Sequence, residues 1–127
     1  REGLLDGTLT LFATYHAPHP RLLKSRGFGV APFGIVGLET AFPIMYTEFV
    51  KTGKMTLERL VELMCINPRK RFGLPLGLDF SIWNLNEEFT VDPDQFQSMG
   101  KASPFTGWKV NGKCLATVCD DKIVYKL

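Results

Sequence analysis

Apolar and polar positions alternate over TLTLFAT. Leu9, Leu11 and Ala13 fall on one face and Thr8, Thr10 and Thr14 on the other, which predicts a strand ending at Tyr15. Pro18 and Pro20 then prevent regular structure, and Gly27, Gly29, Pro32 and Gly34 punctuate a long irregular stretch. Loops of this length inside a compact domain are usually functional or disordered, so this one is the first site candidate. From Leu38 the period becomes helical. Phe42, Met45 and Phe49 share a face, Pro43 falls near the first turn or kinks the helix, and Gly53 stops it. Thr56 reads as the N-cap of a second helix, with Glu58 near its positive end and Leu57, Leu60, Val61 and Met64 as its buried stripe. Pro68 opens a further helical turn that Gly73 ends.

Beyond GLPLG the period falls to two. DFSIWNL, EFTVD, WKV, KCLATV and KIVYK read as strands, with a short turn or helix over DPDQFQSM. Asn111 and Gly112 give a strong signal for a tight hairpin between WKV and KCLATV, because both central positions of that turn need positive φ. Asp120 and Asp121 give a weaker one. The order is therefore strand, long loop, helices, then a meander of strands, with no internal repeat and no low-complexity segment.

Composition narrows the classes. A chain of 127 residues, 45% hydrophobic and 22% charged, can bury one core and is not expected to be disordered. Fifteen basic against thirteen acidic residues leave a net charge of +2, too small and too scattered to imply a nucleic-acid or anionic-membrane partner. Arg69, Lys70 and Arg71 read as the solvated face of a short helix. No apolar run approaches the roughly 18 residues of a membrane span, and no signal-peptide pattern is present, so a soluble cytoplasmic protein is expected. Cys65, Cys114 and Cys119 lack metal-ligand spacing and are expected to be free thiols. The chain starts at Arg1 rather than at a methionine, and the expectation is a piece of something longer.

The stretch FATYHAPH holds both histidines of the chain, His16 and His19, at the end of the expected strand. Parallel α/β architectures place their chemistry at such ends. Metal binding would need a third protein ligand, and the sequence offers no other histidine and no cysteine cluster. No serine lies in a GxSxG elbow, and GFGVAPFG is not followed by Lys-Ser/Thr, which leaves neither a nucleophile nor a phosphate loop. From spacing alone, His16 and His19 either cap loop carbonyls or contact a ligand.

LFATYHAPH followed by APFGIVGLETAFP, GKMTLERLVELMCINPRKRFGL, FTVDPDQFQSMGKASPFTGW and KIVYK resembles, in order and over nearly the whole chain, the C-terminal part of the bacterial-type dihydroorotases of the amidohydrolase superfamily. The resemblance implies an α/β fold in which residues 1–74 form the C-terminal segment of a (β/α)8 TIM barrel, its last strand and outer helices. Residues 75–127 would supply strands of a small β-sandwich. It also implies a zinc-dependent interconversion of N-carbamoyl-L-aspartate and dihydroorotate in pyrimidine biosynthesis. On that map His19 matches a histidine that contacts substrate, and Phe33 and Gly34 match a pair that contacts it through the loop backbone.

Two departures matter. The family strand ends Asp-His-Ala-Pro-His, and that aspartate binds metal and moves protons; here the position is Tyr15. A phenol ionises only around pH 10, so it is a poor shuttle and a poor hard ligand near neutrality. The family's His-x-His pair, bridging lysine and remaining metal histidines lie upstream of Arg1, so the chain alone is expected to bind no zinc and to be inactive. The same resemblance implies a longer Gly- and Ala-containing segment where this chain has the short GLPLGLDF link.

A barrel of about 250 residues cannot close with one strand and its helices. Leu9, Leu11, Phe42, Met45 and Leu60 are then expected to lack partners unless the N-terminal barrel portion or a homo-oligomer covers them. The alternatives are a non-catalytic dihydroorotase-like partner of aspartate transcarbamoylase and a degenerate truncated product.

Overall fold

The computed structural model describes residues 2–127. Short helices α1 (Glu2–Leu5) and α2 (Arg21–Lys24) precede α3 (Leu38–Met45), which widens into a π-helical turn over Tyr46–Val50. Helix α4 (Leu57–Val61) widens in the same way over Glu62–Ile66 and runs into α5 (Asn67–Phe72). Strands β1 (Phe80–Thr90), β2 (Lys109–Cys119) and β3 (Lys122–Lys126) form one antiparallel sheet in that order.

Local signals account for the helices. The Thr56 hydroxyl accepts from the Arg59 amide at 3.2 Å and caps α4, while Gly73, at φ +65, ends α5. Pro43 lies inside α3 and has no N–H to give. Four residues on, the Thr47 hydroxyl donates to the Pro43 carbonyl at 2.7 Å, and the Lys51 amide reaches back five residues to Tyr46. Met45, Phe49, Met55, Leu60 and Leu63 form the buried cluster between these helices, with Phe12 packed against it. Leu60 and Leu63 are fully buried, each worth about 2 kcal/mol of apolar transfer. Leu63 takes the place in the stripe that the spacing assigns to Val61, which is exposed. Met45 and Leu60 therefore have partners, contrary to expectation, whereas Leu9 lies half exposed.

The expected strand over residues 8–15 does not form. A strand needs a neighbouring ladder, and among the described residues the only such pairing here is an isolated parallel bridge between His16 and Ile35. Its polar groups are met by helices instead: the Phe12 amide donates to Leu63 O (3.0 Å), and Asn67 Nδ2 donates to Thr10 O (2.7 Å). Phe12 turns toward the core, so the inward face is opposite to the one the alternation implies.

DFSIWNL and EFTVD are parts of one strand, and Asn111 and Gly112 lie inside β2 rather than in a turn. The pairing steps from Asn84 with Lys113 to Glu88 with Asn111, so β1 carries extra residues where Gly112 passes at φ +94. The Asn-Gly pair marks a bulge, not a hairpin. Asp120 and Asp121, both at positive φ, make the actual turn between β2 and β3.

The sheet lies against α3. The rings of Phe42 and Trp83 stand 4.4 Å apart between centroids, and the buried Asn111 receives Lys51 Nζ on Oδ1 at 2.6 Å while its amide donates to Thr47 Oγ1 at 2.7 Å. The described residues contain this single sheet and no second one facing it.

Candidate active site

Residues 14–19 are irregular apart from the bridge at His16 and are held from three sides. Ile35 donates to Tyr15 O at 3.3 Å and Ala17 donates to Ile35 O at 2.8 Å, joining this segment to the far end of the glycine-rich loop. Tyr15 sits at φ +50 with its side chain two-thirds exposed. That backbone region is uncomfortable for a bulky residue and is tolerated better by Asp or Asn.

Glycines let the chains meet. A side chain on Gly34, at φ +111, would run into Ala17 Cβ, and one on Gly37 would come within 2.7 Å of Thr14 O. On the third side, a Cβ on Gly100 would lie 2.6 Å from the carbonyl carbon of Pro18. Lys24 closes the glycine-rich loop by donating to both Pro32 O and Gly34 O, each at 3.0 Å. Of the positions flagged in the sequence, Gly34 is thus set directly against Ala17 in the histidine segment, and the neighbouring Phe33 is exposed.

The two histidines do different things. His16 Nδ1 accepts from the amides of Gly37 and Leu38, at 3.2 and 3.3 Å, so it caps the N-terminus of α3 where Gly37 has no side chain to do so. This needs the neutral ring with its proton on Nε2. Capping was one of the two readings open from the sequence, but the groups capped are amides rather than carbonyls. His19 is half-buried; its amide donates to Ala17 O at 2.9 Å, and its imidazole makes no hydrogen bond among the described residues.

The donor set does not fit zinc. Among the described residues no three His, Cys, Asp or Glu side chains lie close enough to hold a metal ion, and His16 Nδ1 is already occupied by two amides. A groove of about 500 Å³ runs between α3 and the sheet beside Thr40, Trp83 and Tyr125 and includes none of Tyr15, His19, Phe33 or Gly34. No helix among the described residues is long and apolar enough to cross a membrane.

No protein-family model matches the chain. Dihydroorotases of Geobacillus sp. (strain WCH70) and Brevibacillus brevis are each 47% identical to it over 98% of its length. This chain is homologous to the C-terminal portion of bacterial dihydroorotases. It spans 31% of the length of those dihydroorotases. Among solved structures, the L-hydantoinase of Arthrobacter aurescens is 36% identical with a TM-score of 0.85, covering 98% of this chain and 30% of that one. The dihydropyrimidinase of Brevibacillus agri, at 21% identity and a TM-score of 0.87 over 98% of this chain and 30% of its own, shares the fold.

For a dihydroorotase homologue, the sequence pointed to His19, Phe33 and Gly34 but missed Lys24, Gly37 and Gly100. A helix that opens on glycine offers one clue, since its amides need an acceptor from elsewhere. Nothing local marks Gly100.

Proposed function

We propose that the chain is the substrate-contacting, C-terminal part of a dihydroorotase, a cyclic-amide hydrolase of pyrimidine biosynthesis that interconverts N-carbamoyl-L-aspartate and dihydroorotate in the cytoplasm. The observation that carries this reading is the close approach of Gly34 to Ala17, two residues before His19, in a chain homologous to dihydroorotases over 98% of its length. Residues 1–74 would complete a (β/α)8 barrel, and residues 75–127 would join a small sandwich with strands from elsewhere.

The half-buried His19 imidazole, unengaged by other described groups, is free to donate to or accept from a polar substrate atom. At Phe33 and Gly34 the backbone is what substrate would meet, and Lys24 holds it in place. Zinc, when bound, would activate the attacking water. Its ligands would come from outside these residues, because the donor set here does not hold it. The chain alone would therefore be inactive, and the barrel portion or a second copy would cover the exposed Leu9 and the apolar loop residues Leu22, Phe28 and Phe33.

Tyr15 favours a second reading, a non-catalytic relative serving as a structural partner of aspartate transcarbamoylase, because the residue that would move protons is absent. Joining this chain, with Tyr15→Asp, to the upstream part of the Geobacillus dihydroorotase and replacing His19 by Asn separates the two. The first reading expects the His19→Asn change to raise KM for dihydroorotate at least about tenfold. An unchanged KM in an active fusion would remove His19 from substrate contact.

A further inference from the structure

We infer that the segment 97–102, which belongs to the sheet-forming half of the chain, positions the substrate loop, and that Gly100 is the positioning residue. The inference rests on the proposed reading of the His19 loop as a substrate contact. It comes from three separate contacts between regions some 60 to 80 residues apart in sequence.

The first is steric. Gly100 is buried, and its Cα lies so near Pro18 that an added Cβ would stand 2.6 Å from Pro18 C and 2.7 Å from Pro18 O. Both are backbone atoms, so nothing flexible can move aside. Pro18 is the residue immediately before His19, and its φ is fixed by its ring. The crowded Pro18 C and O share a planar peptide with His19 N, so a displacement there moves the His19 amide with it.

The second contact is a backbone hydrogen bond, from the Val36 amide to Ala102 O at 2.8 Å. Val36 is buried and follows Ile35, which is bonded to both Tyr15 and Ala17. The same short segment thus supports the substrate loop at both of its ends.

The third fixes the segment itself. The Glu39 carboxylate, in the first turn of α3, accepts from the Gln97 amide at 2.8 Å, the Ser98 amide at 3.1 Å and the Ser98 hydroxyl at 2.7 Å. Three donors on one carboxylate define where the segment lies, and charge assistance strengthens each bond. Because His16 caps the same end of α3, one helix terminus holds both the site segment and its support.

Native-state hydrogen exchange on the full chain tests this, comparing Gly100→Ala, Glu39→Ala and Glu39→Gln with the parent. Gly100→Ala is expected to speed exchange at the Ala17 and Val36 amides at least tenfold while the Phe12 amide and the β1–β2 ladder keep their protection. Glu39→Ala should act in the same direction. Glu39→Gln, which keeps one oxygen acceptor, should fall between Glu39→Ala and the parent. Equal acceleration at every amide would mean general destabilisation, and unchanged protection at Ala17 would mean no support; either overturns the inference. If Gly100→Ala does not fold, the Glu39 pair decides by the same criteria.

The fusion described above adds an activity readout. There Gly100→Ala should raise KM for dihydroorotate at least tenfold with kcat within twofold. An inactive parent fusion would count against the dihydroorotase reading, while the exchange data would still judge the support contact.

Discussion

His16 Nδ1 accepts the amides of Gly37 and Leu38, joining two segments 21 residues apart through one imidazole at a helix terminus. Losing an N-terminal cap typically costs about 1 kcal/mol. His16→Ala should therefore lower the unfolding free energy by about 1 kcal/mol in urea titration with the m-value unchanged. No loss beyond the error of the titration would mean that water replaces the imidazole at no cost.

Gly112 carries two constraints at once: φ is +94, and an added Cβ would stand 3.3 Å from Phe42 Cε1. The ring can yield by a few tenths of an ångström, but the backbone strain remains. A non-glycine residue in this region costs roughly 1–2 kcal/mol. Gly112→Ala is expected to lose about that much by thermal or urea unfolding. Adding Phe42→Leu to make room should recover less than half of the loss.

These two contacts show what was legible in the sequence. The α4 cap at Thr56 and the Gly73 stop involve neighbours three or four residues away, so propensity and spacing find them. Asn111 and Gly112 carry the local chemistry of a hairpin, yet the bulge opposite and Phe42 some 70 residues earlier recruit the pair for a different purpose. TLTLFAT has the period of a strand but no adjacent strand to bond, so its alternation does not decide the outcome. At the candidate site, residue types in FATYHAPH and APFG singled out two stretches that the Ala17–Ile35 and Ile35–Tyr15 hydrogen bonds join. The Gly100 contact with Pro18 is pure tertiary packing and leaves no mark on its neighbours.

Tyr15 at φ +50 stores backbone strain that glycine would not feel. Tyr15→Gly should raise stability by roughly 0.5–1 kcal/mol, since the exposed phenol gives up little packing. Chemical denaturation of the two proteins side by side would check this. A destabilised Tyr15→Gly would mean that the Tyr15 ring is held by contacts stronger than the strain.

The Cys119 thiol lies 3.6 Å from Asp79 Oδ2, whose negative charge, and then its hydrogen bond, raise the thiol pKa above the ordinary value. The folded state therefore favours the thiol over the thiolate. Any stability from this pairing is present below the ordinary thiol pKa and is lost as pH rises through the raised one. Alkylation of Cys119 by iodoacetamide at pH 8–9 should be slower than in the urea-unfolded chain. Asp79→Asn should speed it several-fold, and the two rates should converge at still higher pH. Equal rates for parent and Asp79→Asn across pH 8–9 would exclude the carboxylate as the cause.

The proposed function assigns this segment dihydroorotase substrate contacts, with Tyr15 standing where a proton-moving aspartate is expected. The most direct measurement is the zinc-dependent rate of dihydroorotate hydrolysis by the chain joined to the upstream part of the Geobacillus dihydroorotase, with Tyr15 and with Tyr15→Asp, beside that enzyme's own full chain. The account predicts little turnover with Tyr15 and a gain of at least about a hundredfold with Tyr15→Asp, the range that one general acid–base group supplies. A folded fusion that loads zinc and still fails to hydrolyse dihydroorotate after Tyr15→Asp would contradict it.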